Sequence, residues 1–489
     1  MRTIERKVSI GILLVGTLLM LVWFVNGCDL PKPKLTHYTI QARLQEDNIV
    51  TATQKVLYTN NTTTTLQSVN FNLYPNAFAK DVQYRPIHNN DLALAWVDGE
   101  SYGGINIDNV SIDNKLVEHT IQGVDNNILS VPLLLKPYHS VEIAMDWVLV
   151  LPRLKFRLGS NNNTINLGQW YPSVVVLQDG VFVDDPYYYI GDPFVNDVAD
   201  YDVTLTTPFE YSIASSAGYT HTLNTDLTRT YVTSVRSIRE FAFVLSDKYK
   251  SVQYDLDDVA IVYNYYQDDA PNQSLDIAVK ALRTFNDMFG KYPYSQLTVA
   301  QTQFVYGGME YSGLVMVSDT LDRTKYNEVI VHEIAHQWWY GIVGNNQVQA
   351  AWLDESLAEY STTLFFEHHP EYNVTRKSRV GKSTTRLRVF VENYNYDTKS
   401  MIVSKSLSQF NSVAEYVAMV YAKGNIMWDS LRDAIGYNVL LSGLRDYYQS
   451  NAMLIATQDS LVRALSKHAI LDMSTWFDNW LRGKVVLWA

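Results

Sequence analysis

The chain has a single cysteine, Cys28. No disulfide can therefore form within it, and beyond that position no thiol is left to act as a nucleophile. Basic charge is also scarce, with 39 Lys and Arg against 51 Asp and Glu and a formal net charge of −12. A partner built on phosphates needs a cationic surplus to neutralise it, so this balance argues against nucleic acid. No internal repeat and no long low-complexity tract is present; the polar stretch "NNTTTT" (60–65) reads as a turn between strands. Hydrophobic residues are not scarce, at 47% of the chain with 13% aromatic. That is the composition of a folded protein rather than a disordered one. A length of 489 residues leaves room for about two to three domains, each with its own core.

Long apolar runs are missing except at the start. Arg2, Arg6 and Lys7 precede an uncharged run over residues 8–27, and Cys28 closes it. A basic segment ahead of an apolar one is an export signal, and this run is also long enough to span a bilayer. The end of the run, "VNGC" (25–28), resembles a bacterial lipobox with Asn26 as a departure. Three readings stay open: a lipoprotein modified at Cys28, an uncleaved signal anchor, and an ordinary cleaved signal. Each puts residues 29–489 outside the cytoplasm, and the first two tie the protein to the extracytoplasmic face of the cell membrane.

Residues 1–28 are thus a signal or anchor segment. Residues 29–250 read as β-rich, because "SVNFNLYP" (68–75) and "DYDVTLTTP" (200–208) alternate apolar and polar residues between Gly- and Asn-rich turns. From 251 to 489 the texture changes. A strand-like "VAIVYNYY" (259–266) leads into a helical "SLDIAVKALRTFNDMFG" (274–290), with Gly290 as its C-cap. Strands at 297–302 and 313–318 flank a Gly-rich turn, and the pattern after 325 is mostly helical. The fold class expected is α+β, an all-β domain followed by a mixed α/β domain.

Within the second region, "VIVHEIAHQWW" (329–339) reads as helix and sets two histidines four apart. Residues i and i+4 share a helix face, so His332 and His336 can aim at one point with Glu333 beside them. Two satisfied core histidines would also fit the spacing, but Glu333 completes an HExxH pattern. A catalytic zinc site needs three protein ligands and an open fourth position. Glu355, after 18 intervening residues and a turn at 341–346, supplies the third if the helix at 351–369 returns beside the first. Glu359, one turn further on, is either a carboxylate partner for a ligand imidazole or a solvated surface residue. Glu333 is placed to take a proton from metal-activated water.

The segment from His332 to Tyr360 resembles the zinc signature of the aminopeptidase N-like family, the gluzincin aminopeptidases. Two more motifs stand in the family's order: "GGMEY" (307–311) is similar to its GxMEN motif and "VYAKGNIMW" (420–428) to its Tyr-x-Lys-Gly segment. "GQWYPSVVV" (168–176) and "STWFDNWLRGKV" (474–485) resemble parts of its N-terminal saddle domain and the close of its catalytic domain. The resemblance is to a short, two-domain member with a saddle-like β domain and a thermolysin-like catalytic domain.

It implies one zinc ion per chain, held by His332, His336 and Glu355, with Glu333 as base. It further implies an oxyanion donor at Tyr421 and substrate binding at Gly307, Gly308, Met309 and Glu310, where Glu310 meets the free amine of a peptide. Lys423 and Gly424 mark the motif without assigned chemistry. Gln169 lies near the region where such relatives place a second amine-binding residue. Tyr311, Asp354 and Ser356 depart from the family's Asn, Asn and Gly, and the first bears on the shape of the amine pocket. The activity implied is aminopeptidase. A thermolysin-like endopeptidase and an inactive, surface-anchored binding protein are the alternatives.

Overall fold

The structure, a computed structural model, describes residues 33–178, 180–397 and 401–485. Cys28 and the apolar run at 8–27 lie outside the described residues. Among the described residues no helix is long and apolar enough to cross a membrane.

The N-terminal half is built on an eight-stranded sheet. Its strand Thr36–Leu44 runs antiparallel to Ile49–Thr59 and parallel to Ala199–Pro208, with Ile40 opposite both Gln54 and Val203. Alternation explains the layer: in Ala199–Pro208 the residues facing the core are Tyr201, Val203 and Leu205, and their neighbours stay half-exposed. Two four-stranded sheets accompany it, and the rings of Trp147 and Trp170 meet edge to face at 5.7 Å in the core. Strand Leu66–Asn72 carries Val69 and Phe71 inward, as the alternation predicts. The turn before it is held by Asn60, whose amide donates to the Thr64 and Leu135 carbonyls.

After Phe243–Ser246 the chain leaves these sheets and enters a five-stranded one at Lys250–Leu256. The order there is Lys250–Leu256, Val259–Tyr265, Gln296–Thr302, Leu314–Ser318 and, outermost, Gly308–Met309. Helix α1 (Pro271–Met288) begins earlier than its apolar pattern, because Pro271 suits the first turn. Phe289 caps it, and Gly290 follows at φ +144° instead of serving as the cap. Helix α2 (Arg323–Ala335) starts at Asp322, whose side chain accepts from the Lys325 N–H. Helices α3 (Trp352–His368) and α4 (Arg376–Tyr394) follow, the latter opened by a Thr375–Ser378 capping box. A π-helical turn, Val417–Lys423, then runs into α5 (Gly424–Ile435).

The halves are pinned together next to α2. Arg239 is fully buried and donates to the carbonyls of Tyr340 (2.8 Å), Asn196 (2.6 Å) and Leu454 (3.1 Å). Buried charge is costly unless its donors are met, so these contacts fix the turn that follows the histidines.

Candidate metal centre and active site

Regular α-helix ends at Ala335, earlier than the apolar pattern through 339 predicts. Beyond it the Gly341, Ile342 and Val343 N–H groups donate five residues back, to His336, Gln337 and Trp338. Tyr340, at φ +133°, turns the chain away. His336 keeps helical dihedrals as the cap residue and stays one turn from His332.

The return path brings α3 alongside, with Glu355 in its first turn. Three donor atoms then form a nearly equilateral triangle. His332 Nε2 and His336 Nε2 are 3.1 Å apart, and each is 3.2 Å from Glu355 Oε2. Zinc bonds of about 2.0–2.2 Å at tetrahedral angles require donor–donor edges of about 3.3 Å. The donor set fits one zinc ion.

The imidazole orientation fits as well. His336 Nδ1 is 3.1 Å from the Trp339 carbonyl, which can only accept, so that nitrogen carries the proton and Nε2 presents its lone pair to the triangle. His332 Nδ1 faces Glu359 Oε2 at 3.5 Å. Glu359 is not a solvated surface residue: its other oxygen accepts from Arg379 at 2.7 Å, and its side chain is 20% exposed.

Electrostatics at the triangle favour positive charge. Burial works against a charge on His332, yet Glu355 and Glu359 outweigh it and hold the imidazole up at about 9. Despite its own burial, Glu355 is held well below the usual carboxylate range by His336 and His332. Burial pushes the Glu333 carboxyl the other way, up to about 8, with Glu310 adding to the push and the two histidines opposing it.

The outermost strand lies directly against Glu333. A Cβ on Gly308 would stand 2.4 Å from Glu333 Oε1, so only glycine allows this approach. Strand alternation then sends Glu310 to the same side, where Gln347 donates to its Oε1 at 2.9 Å. Gly307, Gly308 and Glu310 line a cavity of about 480 Å³ that the triangle, Glu333, Glu359 and Tyr421 also line. Met309 does not line it. Its side chain is fully buried on the opposite side of the strand, where Sδ accepts from Arg157 Nε, so any part it has in substrate binding falls to its backbone.

Tyr421 sits in the π-helical turn, a rare geometry that re-aims side chains at functional sites. Its hydroxyl donates to Glu355 Oε1, and its ring stacks on His332 at 5.8 Å. Ser356 and Gly424 make this possible: a Cβ on Gly424 would come within 2.5 Å of the Ser356 Cβ, so the motif glycine lets α5 pack tightly on α3.

Over residues 273–480 the sequence matches the Peptidase family M1 domain. The chain is 28% identical over 228 residues to Aminopeptidase N of Lactobacillus helveticus, covering 43% of this chain and 26% of that protein. It is 30% identical over 229 residues to Aminopeptidase N of Lactobacillus delbrueckii subsp. lactis, covering 42% and 26%. The chain thus spans about a quarter of the length of the curated relatives it matches. Its fold is that of an M1 zinc metallopeptidase from Deinococcus radiodurans, with a TM-score of 0.67 at 15% identity over 92% of this chain and 94% of that one. A variant of that protein bound to a Tyr-Ser-Ala substrate matches at a TM-score of 0.66 and 15% identity, with the same coverage.

Several groups around the site take places that the motifs alone do not give. Arg157 and Asp192, both buried, form an ion pair in the cavity wall. Asp354, one of the family departures, shares the Gln347 amide with Glu310, accepting at 2.7 Å, and burial pushes its carboxyl up to about 7. Tyr311, another departure, is wholly buried against Gly168 and does not line the cavity. Gln169 does not line it either, and donates to Glu240 at 2.6 Å. A readable signal did exist on α4, where Arg379, Lys382, Ser383 and Arg386 share one face at helical spacing.

Proposed function

We propose that this chain is a zinc aminopeptidase that removes residues from the free N-terminus of peptides. The observation that carries the reading is one cavity shared by the His332–His336–Glu355 triangle, the buried Glu333 and the buried Glu310. The relatives named Aminopeptidase N support it.

A zinc ion, which His332, His336 and Glu355 would hold, would supply a Lewis acid able to acidify a water and polarise the scissile carbonyl. Glu333 takes the proton of that water and returns it to the leaving amine. Burial and the neighbouring Glu310 raise its proton affinity, which suits a group that must carry a proton between steps. Tyr421 donates its hydroxyl to the carbonyl oxygen as negative charge develops there. Glu310 meets the substrate ammonium, which would otherwise lose its hydration without compensation. The distance from Glu310 to the triangle then sets cleavage after a single residue, which distinguishes this reading from an endopeptidase.

The test compares aminoacyl amides with their N-acetylated forms, with and without a chelator. The proposal expects hydrolysis of the free-amine forms only, abolished by chelation and restored by zinc. Equal cleavage of blocked peptides would favour the endopeptidase reading.

We also infer membrane attachment on the extracytoplasmic face, through a lipid on Cys28 or through residues 8–27 as an uncleaved anchor. The support is the basic and apolar pattern before Cys28. Fatty-acid labelling of the wild type that is lost in Cys28→Ala favours the lipid; no labelling of either favours the anchor.

A further inference from the structure

We propose that the far end of the catalytic cavity is a carboxylate-binding subsite, centred on Arg386 and Lys382, that selects short peptides by their C-terminal carboxylate. The inference rests on the aminopeptidase reading and adds a substrate class to it.

The chain as a whole is acidic, at −12, yet one end of the cavity is cationic. Helix α4 contributes Arg379, Lys382 and Arg386 to the wall, and α2 contributes Lys325. Two carboxylates face these four cations. Glu328 takes Lys325 at 2.6 Å, Lys382 at 3.0 Å and Arg379 at 3.6 Å, and Glu359 takes Arg379 at 2.7 Å. Positive charge is left over. Among the described residues Arg386 stands within ion-pair distance of no carboxylate, though its charge reaches Glu359. A cationic surplus in a cavity wall favours an incoming carboxylate.

The cationic end lies on the opposite side of the metal centre from the amine end. Glu310 and Asp354 oxygens stand within 4.8 Å of a His336 ring nitrogen. Glu359, and beyond it Arg379, stand instead on the His332 side, one helical turn away. Glu328, which holds Lys382 at 3.0 Å, lies four residues before His332, about 6 Å along the helix axis. An extended peptide advances about 3.3–3.6 Å per residue, so about two residues past the scissile bond bridge that gap. With its ammonium at Glu310 and its scissile bond at the triangle, a peptide of three or four residues brings its carboxylate to Lys382 and Arg386.

An acidic side chain downstream of the scissile bond offers the same chemistry, so the test separates the two sources. Three substrates are compared for wild type and Arg386→Ala: an alanine tripeptide acid, its C-terminal amide, and the amide with Glu as third residue. Arg386 is exposed, so its replacement leaves the core intact. A charge-assisted pair predicts that the wild type favours the acid over the plain amide by about tenfold in kcat/KM. That preference falls towards unity in Arg386→Ala, is largely kept in Arg386→Lys and inverts in Arg386→Glu. A preference for the Glu-bearing amide, not the acid, would overturn the C-terminal selection and assign the pocket to side chains. Equal use of acid and amide by all four proteins would overturn the subsite while leaving the aminopeptidase reading standing. Failure of the wild type on every free-amine peptide would overturn both.

Discussion

Strand Ala199–Pro208 in the eight-stranded sheet and helix α3 beside the donor triangle are both buried, but what they bury differs. The strand turns Tyr201, Val203 and Leu205 inward and leaves polar residues between them half-exposed. The helix buries Leu353, Leu357 and Ala358, and with them Asp354, Glu355 and Ser356. Removing apolar area from water stabilises by about 25 cal/mol per Å². Removing a carboxylate from water costs several kcal/mol unless partners compensate. The first region is therefore arranged for stability, and the second carries an electrostatic cost that a cation at the triangle relieves. Changes in the helices should cost chemistry with the fold kept, and changes in the sheet should cost stability with the chemistry kept.

Glu333→Gln gives the largest contrast. It keeps the side chain's shape but removes the proton carrier, so turnover should fall by about 10⁴-fold while zinc content by elemental analysis stays at one per chain. Tyr421→Phe comes next, with kcat down by about 10²–10³-fold and KM little changed, as expected for a contact made to the developing oxyanion. Glu359→Gln acts through His332, and its expected effect is about 10–100-fold weaker metal binding, read by chelator competition. Leu205→Ala sharpens the comparison from the other side. It should cost about 2–5 kcal/mol of stability in denaturant unfolding, with kcat/KM per folded molecule unchanged. A catalytic defect there would mean that the two halves are not separable in this way.

How much was legible in the sequence follows the same division. His332, Glu333 and His336 are readable because helix periodicity fixes their directions locally, and Glu355 because the intervening turn leaves room for α3 to return beside α2, as the family resemblance also implies. The strand alternation that reads Val69, Phe71 and Val203 as core also reveals why Met309 faces away from Glu310, a consequence the motif alone conceals. What could not be read comes from distant pairing. Arg157 and Asp192 reach the cavity from the other half, and the parallel pairing of Thr36–Leu44 with Ala199–Pro208 spans most of that half. No spacing rule connects such segments. Gln347, which joins Glu310 to Asp354, lies in a short helix between motifs and has no pattern of its own.

The central claim is that a buried carboxylate beside a zinc triangle measures off one residue from a free amine. Its most direct test is the ratio of kcat/KM for a free-amine peptide to that for its N-acetylated form, in wild type and in Glu310→Ala. The account predicts a large ratio in the wild type that collapses in the variant, because an ångström's misplacement of the scissile bond is costly and blocked peptides never use the contact. A ratio unchanged by Glu310→Ala would contradict it.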